Sequence, residues 1–224
     1  MRLVAFDLDG TLIDGYAAVS DALAYAMTRL GIRTLETGRV RSMVGHGLER
    51  LLEQAVGPAL APEGVRLFRE RYAEVAVPLT ELMPGVPEVL AALEARGQVL
   101  AVASNKPPDF SRLILEAKGV AGFFRTIEGP GPGTPAKPDP TMLARAMQAS
   151  GAGAAGTLVV GDMEVDAEFA RAAGCAVVLI PRGSRSKQEL EGVDADGMLD
   201  DIRQLPGWLE RMARTKDEGL PTED

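Results

Sequence analysis

The 224-residue chain has one cysteine, one histidine, one tryptophan and one asparagine. A lone Cys175 excludes an internal disulfide, fits a reducing compartment, and reads as a buried structural thiol. Aromatic residues make up only 4%, and neither Trp208 nor the others form a stacking stripe. Lysine is scarce: there are five, and none lies before residue 106. Basic residues number 24 against 32 acidic ones, giving a net charge of −8. That balance argues against nucleic-acid partners, which favour basic surfaces. No apolar run reaches the roughly 18 residues of a membrane span. The apolar run before Asp7 is too short for a signal peptide, so a cytoplasmic location is expected. Repeats of 20–50 residues are not evident. Neither G-x-x-x-x-G-K-[ST] nor a strand-linked G-x-G-x-x-G occurs, so the usual nucleotide-binding fingerprints are missing.

What is present reads as a globular protein, with 46% hydrophobic and 25% charged residues. Leu3 to Asp7 reads as a buried strand ending in an acidic turn. Helical spacing then predicts helices over Tyr16–Leu30, Gly38–Val56 and Pro62–Val77, with breaks at Gly31, at Gly57-Pro58 and near Pro78. No strand is expected in that block. After Met83-Pro84-Gly85, helices and strands alternate. Helices are expected near 86–96, from Pro108 to about Gly119, and near 140–150, 165–173 and 201–212. Strands are expected at 99–103, 123–127, 157–160, 176–180 and 198–199. Near-continuous apolar strands alternating with helices indicate a parallel sheet covered on both faces, an α/β doubly wound core. The helical block of about 65 residues is too long for a crossover connection. We therefore expect an α/β core from 1–14 and 80–213, an inserted α-helical cap from 15–79, and a polar tail from 214–224.

Four polar clusters follow predicted strands, at the sheet edge where open α/β folds bind ligands. Asp7-Leu8-Asp9-Gly10-Thr11 places two carboxylates on one side of an extended chain before a glycine turn, a pattern shared with ordinary turns and helix caps. Ser104-Asn105-Lys106-Pro107 combines a hydroxyl with a fresh helix N-terminus, which suits an anion but also describes an N-cap. Lys137-Pro138-Asp139-Pro140 holds a lysine between stiff neighbours, although a lone lysine is usually a solvated charge. Gly161-Asp162-Met163-Glu164-Val165-Asp166 sets two carboxylates four residues apart, suited to Mg²⁺ or to helix capping.

In this order, the four clusters resemble the motifs of the haloacid dehalogenase-like superfamily over about residues 3–205. Within it they look most like bacterial phosphoglycolate phosphatases. The resemblance implies a Rossmann-like core, a small helical cap, and hydrolysis of a small phosphate monoester with Mg²⁺. Asp7 would be the nucleophile that forms an aspartyl-phosphate. Asp9 would protonate the leaving alcohol and then activate water. Thr11, Ser104, Asn105 and Lys137 would hold the phosphate. Asp7, Asp9 through its carbonyl, and Asp162 would hold the metal, with Asp166 either orienting Lys137 or joining the metal.

The second aspartate and the lysine-free cap depart from the dehalogenase and phosphonatase branches. Met163 stands where related phosphatases more often carry a small polar residue, and the Gly/Pro-rich stretch 129–135 is either a lining of the substrate entrance or a rigid connector. In the cap, His46 between two glycines and Arg50 are the substrate-specificity candidates, with Arg41 behind them. Each has an ordinary structural reading as well. From Asp14 to Leu82 the cap has eight arginines against nine acidic residues, so no polyanion track is expected. Hinges are expected near Ile13–Tyr16 and Leu79–Pro84. A β-phosphoglucomutase-like mutase shares the four clusters. A receiver domain shares the acids, hydroxyl and lysine at about half the length. An inactive binding module has no reason to keep so many like charges together. The expected partner is a small phosphorylated metabolite, with no nucleic acid or membrane, and the chain is expected to act as a monomer or homodimer.

Overall fold

The computed structural model describes residues 1–217, with side chains to residue 214. The chain begins with the fully buried strand β1 (Leu3–Phe6). Next come β2 (Ile13–Asp14) and four helices: α1 (Tyr16–Arg29), α2 (Thr37–Met43), α3 (Leu48–Val56) and α4 (Ala61–Val75). After β3 (Glu81–Leu82) the alternation sets in: α5 (Val86–Ala95), β4 (Val99–Ala103), α6 (Pro108–Ala117), β5 (Phe124–Glu128) and α7 (Thr141–Ser150). It continues with β6 (Thr157–Gly161), α8 (Glu164–Ala172), β7 (Ala176–Leu179), β8 (Gly197–Met198) and α9 (Leu205–Asp217).

Six strands form one sheet in the order β5-β4-β1-β6-β7-β8, with every pair parallel. From β1 the chain builds outward through β4 and β5, then returns to the other side of β1 for β6, β7 and β8. Loops after β1 and β6 therefore part in opposite directions, and a crevice opens at their carboxyl ends. Register brings the motifs to one level: Phe6 lies opposite both Val102 and Val160. Asp7, Ser104 and Asp162 thus leave the sheet within a residue or two of one another. This is the doubly wound α/β core that the alternation predicted.

The helical block differs from expectation in two places. The helix expected over Gly38–Val56 is two helices, parted at Val44–Gly47. Gly45 and Gly47 there have φ of 118° and 93°, which no α-helix accommodates. Ile13–Asp14 and Glu81–Leu82 also pair as an antiparallel ribbon, so both crossings into and out of the block run side by side. Two residues per strand carry too little pattern to read from sequence. Within the block, α1 lies along α4 and α3 packs on α4. Leu48, Leu51, Leu52 and Val56 form the buried stripe of α3. Gly64 on α4 lets that stripe approach: a Cβ there would sit 2.9 Å from Leu52.

The last helix starts at Leu205 rather than 201, because Ile202–Gln204 is a 3₁₀ turn capped by Asp201. It runs to Asp217, so the expected tail from 214 is helical at its start, and residues 218–224 lie outside the described residues. Cys175 is buried just ahead of β7, and burial pushes its thiol pKa up. Among the described residues, no helix is long and apolar enough to cross a membrane.

Candidate active site

The four clusters meet in one cavity at the carboxyl edge of the sheet, roofed by the loop between α2 and α3. Asp7, Asp9, Ser104, Asn105, Lys106, Lys137 and Asp166 line its floor. Asp7 is set by its N–H, which donates to Val160 O at 2.8 Å and extends the β1–β6 ladder one residue past the strand. Lys137 reaches in from the loop before α7 and is 5% exposed. Its Nζ donates to Asp7 Oδ1 at 2.8 Å and to Asp166 Oδ1 at 2.7 Å. Burial alone would lower the lysine pKa, but Asp166 and Asp7 outweigh it and hold it above its ordinary value. Lys137 is therefore a fixed cation beside Asp7.

Asp166 earns its position at the start of α8. Its Oδ2 accepts from the N–H groups of Asp162 and of the cap residue Met163, both at 3.1 Å, the second a donor that the helix itself leaves open. Its other oxygen holds Lys137. Both oxygens of Asp166 are thus hydrogen-bonded, one of them to Lys137. Asp162 is fully buried. One oxygen accepts from the Ser184 N–H, whereas Oδ1 has no hydrogen-bond partner among the described residues. Burial, then Asp7 and Asp166, push its pKa well above the carboxylate range. Gly10 makes this crowding feasible: at φ 87°, a Cβ there would collide with the Asp162 carboxylate and the Tyr16 hydroxyl.

Carboxylate oxygens of Asp7, Asp162 and Asp166 lie within 4.8 Å of one another. A buried carboxylate oxygen without a donor, beside two further acids, fits a hard divalent cation. Asp7 and Asp162 would hold it, with Asp166 beside them. The Asp9 carboxylate is not part of this cluster. Its Oδ2 pairs with Lys106 Nζ at 2.8 Å and its buried Oδ1 has no hydrogen-bond partner among the described residues. Burial raises the Asp9 pKa despite Lys106.

These raised carboxylates set a pH dependence for the cation-free protein. A group whose folded pKa lies above its unfolded value stabilises fully below the unfolded value and loses that contribution as pH rises through the folded one. Asp166, raised to about 6 by burial, places the loss between about pH 4 and 6. In EDTA the contribution of this cluster to Tm is therefore expected to fall over that range. At pH 8, a divalent cation at a hundredfold excess over its Kd is expected to raise Tm by about 5–10 °C. Asp162→Asn should erase the metal-induced rise. A rise of unchanged size in that variant, read by scanning calorimetry, would place the cation elsewhere.

Other expected site residues fall differently. Ser104 is buried and faces the cavity. Asn105 faces it too: Oδ1 accepts from the Lys137 N–H at 2.7 Å and Nδ2 donates one of its two hydrogens to Gly45 O at 2.9 Å. It ties the roof loop to the lysine loop and keeps one amide N–H. Thr11 is buried outside the cavity lining, its hydroxyl without a hydrogen-bond partner among the described residues. His46 and Arg50 do not line the cavity; His46 acts electrostatically on Glu164, and Arg50 is exposed on α3. The roof instead presents Val44, Leu48 and Leu51, with Val19 and Phe68 behind them. Met163 fills the space under the roof, and a Cβ on Gly45 would run into it. The stretch 129–135 contributes nothing to the lining; it folds back on itself through Gly131 and Thr134 and is a connector.

Lys106, Tyr16 and Tyr72 were given no role from the sequence, and Arg41 only a reserve one, yet all four pack around the site. Lys106 is buried between Asp9 and Tyr72, donating to the Tyr72 hydroxyl at 2.9 Å. Tyr16 donates to or accepts from Ser184 at 2.7 Å and stacks under Arg41, whose guanidinium lies 4.3 Å from the ring centre. Arg41 also donates to Gly183 O at 3.0 Å, joining α2 to the core. The rarity of lysine, and the position of Lys106 in the second cluster, were the available signals.

Residues 1–174 match the family model described as haloacid dehalogenase-like hydrolase. A phosphoglycolate phosphatase of Aquifex aeolicus is 35% identical over 179 residues, covering 80% of this chain and 84% of its own length. One of Vibrio cholerae is 32% identical over 215 residues, covering 92% and 95%. Among solved structures, a predicted phosphoglycolate phosphatase from Haemophilus somnus 129pt superposes with a TM-score of 0.85 at 27% identity, covering 93% of this chain and 98% of the other. With the sheet order, the paired acids and the buried lysine in place, these likenesses show that the chain is an enzyme belonging to the haloacid dehalogenase-like hydrolase family.

Proposed function

We propose that this enzyme is a Mg²⁺-dependent phosphatase of small phosphate monoesters, acting on 2-phosphoglycolate through an aspartyl-phosphate on Asp7. The observation that carries the reading is the Asp7–Lys137–Asp166 chain beside the donor-starved Asp162. A phosphate monoester and an aspartate nucleophile are both anions, and their approach needs fixed positive charge. Lys137 supplies one such charge at 2.8 Å from Asp7. Mg²⁺, held by Asp7 and Asp162, would supply the rest by neutralising phosphoryl oxygens.

Asp7 attacks phosphorus, and the P–O bond to the alcohol breaks as the Asp7–phosphorus bond forms. Asp9 gives its proton to the departing alcohol oxygen, then takes one from the water that cleaves the acyl phosphate. A carboxyl whose pKa is raised by burial suits that double duty. Ser104, buried just past the end of β4, would bond a phosphoryl oxygen in this reading.

The helices from α1 to α4 act in this reading as a cap that opens on the β2–β3 ribbon and shuts out bulk water. An apolar roof supports a phosphatase over a mutase, which would need polar contacts to a sugar. The names of the relatives support 2-phosphoglycolate. The test is phosphate release across a panel of small esters with Mg²⁺ or with EDTA. The highest kcat/KM is expected for 2-phosphoglycolate, with no release in EDTA. Absence of release from every ester with Mg²⁺ present would overturn the phosphatase reading; a different preferred ester would overturn only the substrate.

A further inference from the structure

Lys106 carries a charge that the reaction outlined above does not use. Its side chain is 6% exposed, yet it lines the cavity, and its ammonium lies 2.8 Å from Asp9 Oδ2 and 2.9 Å from the Tyr72 hydroxyl. The ring of Tyr72 also sits 4.9 Å from the ammonium, measured to its centre. An ammonium has three N–H donors, so a carboxylate and a hydroxyl leave one for a ligand. Burying a cation this deeply is costly unless its partners are fixed. Tyr72 is fixed: it is 1% exposed, stacked on Phe68 at 5.2 Å and edge-on to Phe110 at 4.8 Å.

Among the described residues, Lys106 and Lys137 are the only cations lining the cavity. Lys137 is committed to two carboxylates. The roof is apolar. An anionic group on the leaving side of the substrate therefore has one place to go.

We propose that Lys106, held by Tyr72, is a specificity-determining subsite for a carboxylate on the leaving alcohol, next to the carbon that bears the phosphate. The proposal rests on the phosphatase reading and deepens it. Its geometry comes from Asp9. The leaving oxygen must come within hydrogen-bond reach of Asp9, and Lys106 touches that same carboxylate. The leaving oxygen and the substrate carboxylate are thus near neighbours around Asp9. One carbon between them, as in phosphate esters of 2-hydroxy acids, satisfies this; a longer spacer carries the carboxylate away from Lys106, in a cavity otherwise lined by apolar residues such as Val44 and Leu48. The class favoured is short 2-hydroxy acid phosphates, with no room for further polar groups on the roof side.

Three esters test it with Mg²⁺: 2-phosphoglycolate, ethyl phosphate, which lacks the carboxylate, and 3-phosphooxypropionate, which moves it one carbon away. The wild-type enzyme is expected to prefer 2-phosphoglycolate over both by about tenfold or more in kcat/KM, the scale of one charge-assisted contact. Lys106→Met is expected to slow both 2-phosphoglycolate and ethyl phosphate, but to shrink their ratio by about tenfold, mainly through KM for 2-phosphoglycolate. Lys106→Arg should restore part of the ratio. Tyr72→Phe, which keeps the ring and the lysine, should shrink it less and serves if the Met variant fails to fold.

An unchanged ratio in Lys106→Met, or in Tyr72→Phe should Met not fold, overturns the proposal while the phosphatase stands. So does a wild-type enzyme indifferent to the carboxylate. If the wild type hydrolyses none of the three, the 2-phosphoglycolate substrate reading falls by itself. Calorimetric binding of 2-phosphoglycolate to the Asp7→Asn protein, with and without Lys106→Met, then decides: weaker binding in the double variant supports the subsite, and equal binding overturns it.

Discussion

Asp7→Asn is expected to lower phosphate release by at least about 10⁴-fold, the scale on which removing a nucleophile acts. The same variant is expected to keep or raise its Tm in EDTA. The two halves of this result separate chemistry from folding. Asparagine retains an oxygen that can accept from Lys137, so the bond now measured at 2.8 Å has a replacement. What is lost is negative charge from a cluster whose three acids lie within 4.8 Å. Asp7 is one of the groups raising the Asp162 pKa, after burial itself, so its neutralisation relieves Asp162. A dead and stable variant would identify Asp7 as the reacting group. A dead and unstable one would say that Asp7 mainly holds the floor of the cavity together. Retention of more than about a hundredth of the wild-type rate would mean that another atom attacks phosphorus, and the proposed aspartyl-phosphate would be wrong.

Much of the scaffold behind this test was legible in the residues. Val99–Ala103 is a continuous apolar run bounded by polar residues, and it is a strand over those same five positions. Its burial between β1 and β5 on either side is why it alternates so little. Three of the four clusters were legible because each follows such a run, and parallel strands in register bring their ends together, whereas Lys137 follows the 129–135 loop after β5. Helix facing was legible too. Leu48, Leu51 and Leu52 define the buried face of α3, and Arg50, two residues from Leu48, must lie off it. His46 sits in a loop, where no periodicity says which way a side chain points. The role of Asn105 and the partners of Lys106 depend on residues 32 to 97 positions away in sequence. Nothing local specifies such pairs, since they arise only when β4 and the roof close over β1. Met163 is understandable once that closure is seen: a small polar residue there would leave a gap beneath Gly45.

Lys137→Met is expected to be the most damaging single substitution for stability, and its rescue discriminates between two reasons for keeping the lysine. Removing one partner from a buried charge pair typically costs about 3–5 kcal/mol, because the charges left behind have lost their neutraliser. Here the orphans are Asp7 and Asp166, with Asp162 close by. Without a cation at pH 8, the variant should melt well below wild type. Lowering the pH should narrow the difference, because Asp162 and Asp166 already have raised pKa values and would bind protons more readily still. Mg²⁺ should recover part of the loss at pH 8. Adding Asp166→Asn should recover more, since it removes one orphaned charge and keeps an oxygen for the Asp162 and Met163 N–H groups. If Lys137 serves only the fold, the double variant recovers activity along with Tm. If it serves the phosphoryl oxygens as proposed, Tm returns while kcat stays down by about 10²–10³-fold, the scale of losing one preorganised charge at a developing anion. Recovery of both together would remove Lys137 from the chemistry and leave charge neutralisation to the metal alone.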